Sequence, residues 1–211
     1  CKTIAGVFLD DKYSDIMFEV GGDQRKDNAM KVAKIARERF PAHRLIVANC
    51  SSILANLCAS HNDCTTTPIQ INDVAPDIFH LLLRYIYGEK VSENDMKSHA
   101  REIIDAADKY GVINLKLEAE ASLVEGTTFT IKNVMELLLY AESKNCALLK
   151  EASMDYIVEN KAEVIKKLSF ANAPGTLVTD ILAAVSRGEM RSGGADVNAD
   201  SQFDSLHISE L

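Results

Sequence analysis

The stretch FPAHRLIVANCSSILANL, Phe40 to Leu57, sets a proline, a histidine and an arginine ahead of a dense apolar run. Polar residues this close to a core-forming segment serve either chemistry or structure, and the flanking chain decides which. On the N-terminal side, SDIMFEV places Ile16, Phe18 and Val20 on one side of the chain, the period of a half-buried strand. Gly21 and Gly22 then turn it. On the C-terminal side, Ser51 or Ser52 is placed to cap a helix, and TPIQIND offers a short strand through Ile69 and Ile71. VAPDIFHLLLRYIYGE follows as the clearest helix, with Pro76 in its first turn and Gly88 at its stop. Phe79, Leu82, Leu83 and Ile86 form its apolar stripe. His80 lies off that stripe and reads as a surface residue.

Residues 23–39, DQRKDNAMKVAKIARER, carry Arg25, Lys26, Lys31, Lys34, Arg37 and Arg39. A helix and the arms of a long hairpin both fit this segment, and its charge reads as a solvated face. Beyond Gly88 the pattern is helical almost throughout. EIIDAADKYG closes on Gly111 and INLKLEAEASLVEG on Gly126, followed by IKNVMELLLYAESKN, ALLKEASMDYIVENK, KAEVIKKL and TLVTDILAAVSRG. Residues 188–211 are rich in Gly, Ser and Asp and read as a flexible tail. The expected fold class is therefore α+β: a mixed strand-and-helix part, then an all-helical part.

With 211 residues, 47% of them hydrophobic and 26% charged, the chain can bury a sizeable core. A net charge of −8 argues against nucleic-acid binding, which needs clustered Lys and Arg. No apolar run approaches the roughly 20 residues that span a bilayer. The first residue is Cys1, so the natural amino terminus is expected to lie upstream. The five cysteines (1, 50, 58, 64, 146) include no CxxC pair. Cys50 lies in an apolar run, where a free thiol packs as a small hydrophobe. That usage favours a reducing compartment, nucleus or cytoplasm.

Catalytic patterns fail in turn. Ser51 has no GxSxG elbow around it, and GxxxxGK[ST], GxGxxG and HExxH are all missing from the sequence. The chain is not expected to be an enzyme, and no cofactor is implied. Cys58, His61 and Cys64 in CASHNDC have even spacing, but zinc needs a fourth ligand, and a helix from Ser51 to Ala59 would carry Cys50 away. A polar loop is the better reading, with no metal.

Taken together, SDIMFEV, FPAHRLIVANCSSIL, IQINDVAPDIFHLLLRYIYGE and IIDAADKYGVINLKLEAEASL strongly resemble the BTB/POZ domain, in order and at compatible spacing, over residues 14–123. Against that family, residues 23–39 are an insertion where a tight turn is usual. CKTIAGVFLDDKYSD, at the start, is similar to the dimer-forming lead-in of speckle-type POZ adaptors, which recruit cullin-3 ubiquitin ligases. Residues 124–187 resemble their BACK-like or three-box helices.

The resemblance implies a BTB/POZ fold, a small mixed sheet flanked by helices, followed by an all-helical BACK-like region. It implies a homodimer, with a lead-in over residues 1–13 presenting Ile4 and Val7, and with Asp15 and Arg44 matching a charged pair near the dimer interface. His43 belongs to the scaffold there, held by hydrogen bonds. Cullin-3 would dock on the loop at His61, Asn62 and Asp63, whose apolar anchor is missing, and on Tyr85 and Tyr87, which fit core packing equally well. Substrate proteins would be held outside this chain, by a MATH-type domain upstream. The terminal FDSLHISEL resembles the start of a SAP motif, although a solvated tail is the favoured reading. The alternative function is a dimerising scaffold of a transcription or chromatin protein that recruits no ligase.

Overall fold

The alternation in SDIMFEV becomes strand β1 (Ile16–Val20), with Ile16, Phe18 and Val20 all buried. The structure, a computed structural model, describes residues 6, 8, 13–22, 36–60, 67–167 and 174–193, and the side chains of all these except 165 and 188–193. Strand β2 (Glu38–Ala42) runs antiparallel to β1, with Ile16 opposite Ala42 and Val20 opposite Glu38. On the other side of β1, strand β3 (Ile69–Ile71) runs parallel, pairing Phe18 with Ile69 and Val20 with Ile71. The sheet order is β2-β1-β3.

Of the two readings of residues 23–39, the hairpin arm holds at the C-terminal end, because Glu38 and Arg39 belong to β2. Glu38 and Arg39, the last residues of the segment expected as an insertion, thus pair with β1; residues 23–35 lie outside the described residues. ERFPA hides its strand character behind two charges and a proline. Such residues are tolerated on an edge strand, which β2 is.

Gly21 closes the sheet at the end of β1. Its N–H donates to the Ile71 carbonyl at 2.9 Å, and its φ is +107°. A Cβ there would sit 2.8 Å from the backbone oxygen of Ala36. Gly21→Ala is expected to cost about 2 kcal/mol or more, from left-handed strain plus the backbone clash. The check is a lower urea midpoint at unchanged slope; an unaltered midpoint contradicts this account of the turn.

Helix α1 (Arg44–Cys50) and helix α2 (Ser52–Ala59) are separated by one extended residue, Ser51. Of the two candidate caps it is Ser51 that acts: its Oγ accepts the Leu54 N–H at 3.0 Å and donates to the Tyr110 carbonyl at 2.5 Å. Helix α3 (Pro76–Ile86) starts on its proline as expected and buries Ile78, Phe79, Leu82, Leu83 and Ile86. Helix α4 (Glu93–Ser98) is capped by Ser92, whose Oγ accepts the Asp95 N–H at 3.1 Å. Helix α5 (Ala100–Tyr110) ends on Gly111 in the left-handed conformation, φ +68°, where glycine carries no steric penalty. Helix α6 (Ile113–Gly126) completes the set. Phe79 sits at the centre of this core, against Phe18 (5.4 Å between ring centroids), Phe40 (5.8 Å) and Tyr110 (5.9 Å).

The remaining helices are α7 (Val134–Lys144), α8 (Ala147–Glu159), α9 (Lys161–Lys167) and α10 (Gly175–Gly193). The chain divides into two compact units, residues 1–128 with 144–149, and residues 129–143 with 150–211. In the first, the short return segment is tied down by the buried Glu120 carboxylate, which accepts the Leu149 N–H at 3.0 Å. In the second, Val134, Leu138, Ile157, Val164, Leu177 and Ile181 form a separate core. On its surface Lys150 bridges Glu142 (2.8 Å) and Asp180 (3.3 Å). Residues 188–193, expected as tail, continue α10 as helix. Among the described residues no helix is long and apolar enough to cross a membrane. The fold class is thus the expected one: a small mixed sheet with helices, then an all-helical region.

Candidate functional site

His43 precedes α1 and faces Tyr87, which stands immediately after α3. The Tyr87 hydroxyl oxygen accepts the backbone N–H of His43 at 2.9 Å and lies 2.8 Å from its Nδ1. Burial pushes the Tyr87 phenol up to about 12, so it keeps its proton. The hydroxyl and Nδ1 share one hydrogen bond, whose direction depends on the imidazole tautomer. Nε2 is buried with no hydrogen-bond partner among the described residues. A ring tied in this way to a core tyrosine is scaffold, as expected, rather than a base or a metal ligand.

The same bond removes Tyr87 from the candidate cullin-facing surface. It is 1% exposed, and its hydroxyl is committed to His43. Tyr85 differs. Its hydroxyl donates to Glu118 Oε1 at 2.7 Å, and partial burial, reinforced by that carboxylate, pushes the phenol up to about 12. Beside it α6 turns Ile113 (68% exposed) and Leu117 (50%) to solvent, four residues apart and so on one face. A concavity of about 340 Å³ opens there between Cys50, Tyr85, Ile113 and Asn114. The sequence reading missed Ile113 and Leu117. The signal was present: Leu115 and Ala119 already supply the buried line of α6, which leaves a second apolar pair on another face.

Asp15 and Arg44 do come together. Asp15 Oδ1 accepts the backbone N–H of Arg44 at 2.7 Å, so the carboxylate caps the first residue of α1. Arg44 Nη1 donates to the carbonyl of Cys58, at 2.8 Å, near the end of α2. Nearby in sequence, Leu45 is 83% exposed and Tyr13 63%. Ile4, Val7, His61, Asn62, Asp63 and Cys64 lie outside the described residues.

The cysteines exchange places relative to expectation. Cys50 is exposed, whereas Cys58, like Cys146, packs as a small hydrophobe. Among the described residues no group of His, Cys, Asp or Glu side chains could hold a metal ion. On the sheet, Glu19 gathers Gln70 (2.8 Å), Arg39 (3.0 Å) and Arg37 (3.4 Å). The bond from Gln70, then that from Arg39, holds its carboxyl below the usual range. The two described arginines of the basic segment are thus neighbours of a carboxylate within the fold.

Comparison with known proteins follows this geometry. Residues 7–127 match the family described as BTB/POZ domain. The chain is 29% identical over 131 residues to the mouse TD and POZ domain-containing protein 1, which covers 62% of this chain and 35% of that protein. It is 27% identical over 213 aligned positions to the Arabidopsis thaliana BTB/POZ and MATH domain-containing protein 5, covering 90% of this chain and 48% of that protein. The chain spans less than half the length of either relative.

Proposed function

This chain belongs to the BTB/POZ domain family, and on that premise we propose that it is a homodimeric substrate adaptor recruiting a cullin-3 RING ubiquitin ligase. BTB/POZ domains are typically non-enzymatic protein-interaction modules. The dimer is assigned to the lead-in, through Ile4 and Val7, and to the neighbourhood of Asp15 and Arg44. The exposed Leu45 and Tyr13 add apolar area there. Substrate proteins are held by regions outside this sequence. The MATH domain in the name of the Arabidopsis relative is a module of the kind this reading calls for. Nucleus or cytoplasm is the proposed location, in keeping with the thiols of Cys50, Cys58 and Cys146, none of which forms a disulfide among the described residues.

One observation supports the cullin surface above others: the solvent-facing pair Ile113 and Leu117 beside the Tyr85–Glu118 hydrogen bond. An apolar strip next to an aromatic held in one orientation is the composition of an interface centre. The second reading, a scaffold without a ligase, draws on the loop His61-Asn62-Asp63, where an apolar anchor is replaced by polar side chains. Calorimetric titration with the cullin-3 amino-terminal domain separates the two. Saturable heat with one cullin per protomer is expected. A flat titration at high micromolar concentration overturns the ligase reading and leaves the scaffold.

A further inference from the structure

His80 was expected on the surface, but it is half-buried among aromatic rings. The Phe8 ring lies 5.4 Å from it at an interplanar angle of 32°, and Phe40 of β2 lies 6.0 Å away at 30°. Phe8 also meets Tyr87 at 5.2 Å. The ring of Phe8, which precedes β1, is therefore seated on an imidazole and a core phenol.

We propose that Phe8 and His80 form a proton-sensitive latch, in which neutral His80 seats Phe8 and charged His80 releases it. The titratable and charged groups facing His80, among the described residues, are few. Arg84 lies one turn on in α3 and is paired with Glu89 at 2.7 Å; Glu38 approaches from β2. Tyr87, bonded to His43, closes the group beneath Phe8. An imidazolium stacked on phenyl rings gains cation–π attraction, but it loses water and meets the Arg84 charge. The balance favours the neutral ring: burial first, then Arg84, holds His80 below the ordinary imidazole range, against the opposing pull of Glu38 and Glu89. By linkage the seat is at full strength above that range and weakens as pH falls through it. Phe8 lies in the segment proposed above to dimerise, so on that reading the latch also makes self-association acid-sensitive.

Titrating the His80 ring proton by NMR in the full chain, with assignment from His80→Gln, tests the latch. The midpoint is expected to rise by about half a unit or more in Phe8→Ala, equivalent to about a threefold or greater weakening of the seat on protonation. Coincident midpoints in the parent and Phe8→Ala overturn the proposal. The chain contains no tryptophan, so Phe8→Trp gives a lone reporter. Its emission should move to the red as pH crosses the His80 midpoint, and stay put when His80→Gln is added; the same movement in both also overturns it. Sedimentation at either end of the titration keeps the two readings apart. A monomer throughout removes the dimer and leaves the titration to judge the latch.

Discussion

Alanine at Phe79 is expected to lower the unfolding free energy of the first unit by about 4 kcal/mol, the largest stability effect of any single residue considered. Phe79 is fully buried in α3, edge-on to Phe18 and Tyr110 and tilted against Phe40. These rings come from β1, β2, α3 and the end of α5, so one side chain links two of the three sheet strands to two helices. Truncation leaves a cavity that none of the four elements can close without breaking strand pairing or a helix cap. Aromatic pairs add about 0.5–1.5 kcal/mol each beyond area burial, which places the cost in the upper part of the range for Phe→Ala. Phe79→Leu, which keeps most of the volume, should cost less than half as much. Urea denaturation followed by tyrosine circular dichroism is the measurement. A cost below about 1 kcal/mol for Phe79→Ala would show that the core is not centred there.

The second large effect concerns binding rather than folding. On the proposed adaptor reading, Ile113→Asp together with Leu117→Asp should weaken binding of the cullin-3 amino-terminal domain by about a hundredfold or more. Each apolar side chain at an interface centre contributes about 2 kcal/mol, and a carboxylate there would also be desolvated without a partner. Because both residues are solvent-facing on α6, the urea midpoint should stay close to that of the parent. The paired change in affinity without a change in stability is the informative result. Unaltered affinity would mean that the α6 face is not the cullin contact, whatever the loop at His61 does.

Much of this arrangement was legible in the sequence, and the misses have physical causes. β1 and β3 showed themselves by alternation, α3 by Pro76, its stripe and Gly88, and α5 by its left-handed Gly111. β2 did not, because an edge strand is free to carry Arg39 and Pro41, residues that argue against a central strand. Tyr87 could have been placed: it continues the line Phe79, Leu83 at intervals of four, whereas Tyr85 falls off it. Cys58 likewise follows Leu54 by four on the buried line of α2, while Cys50 ends α1 at the surface. His80 was beyond periodicity altogether. Its burial comes from Phe8 and Phe40, rings far away in sequence that no local pattern brings to it.

The candidate site was legible in part for the same reason. Asp15 and Arg44 do meet, but the bond runs from a backbone N–H to a carboxylate, a helix cap that residue types alone do not distinguish from an ion pair. His43 is tied to Tyr87, for which surface contact and core packing had been equal readings, and core packing is the one the structure takes. Ile113 and Leu117 were overlooked because a helix that buries Leu115 and Ala119 satisfies the expectation of one apolar face. A second face becomes visible only when burial is known.

The central claim is that this polypeptide acts by presenting ready-made surfaces to other polypeptides, beginning with a second copy of itself. Sedimentation velocity of the intact chain at neutral pH across a micromolar concentration series tests it most directly. A folded dimer that persists on dilution is the predicted result. A folded species that sediments as a monomer at every concentration would contradict the account.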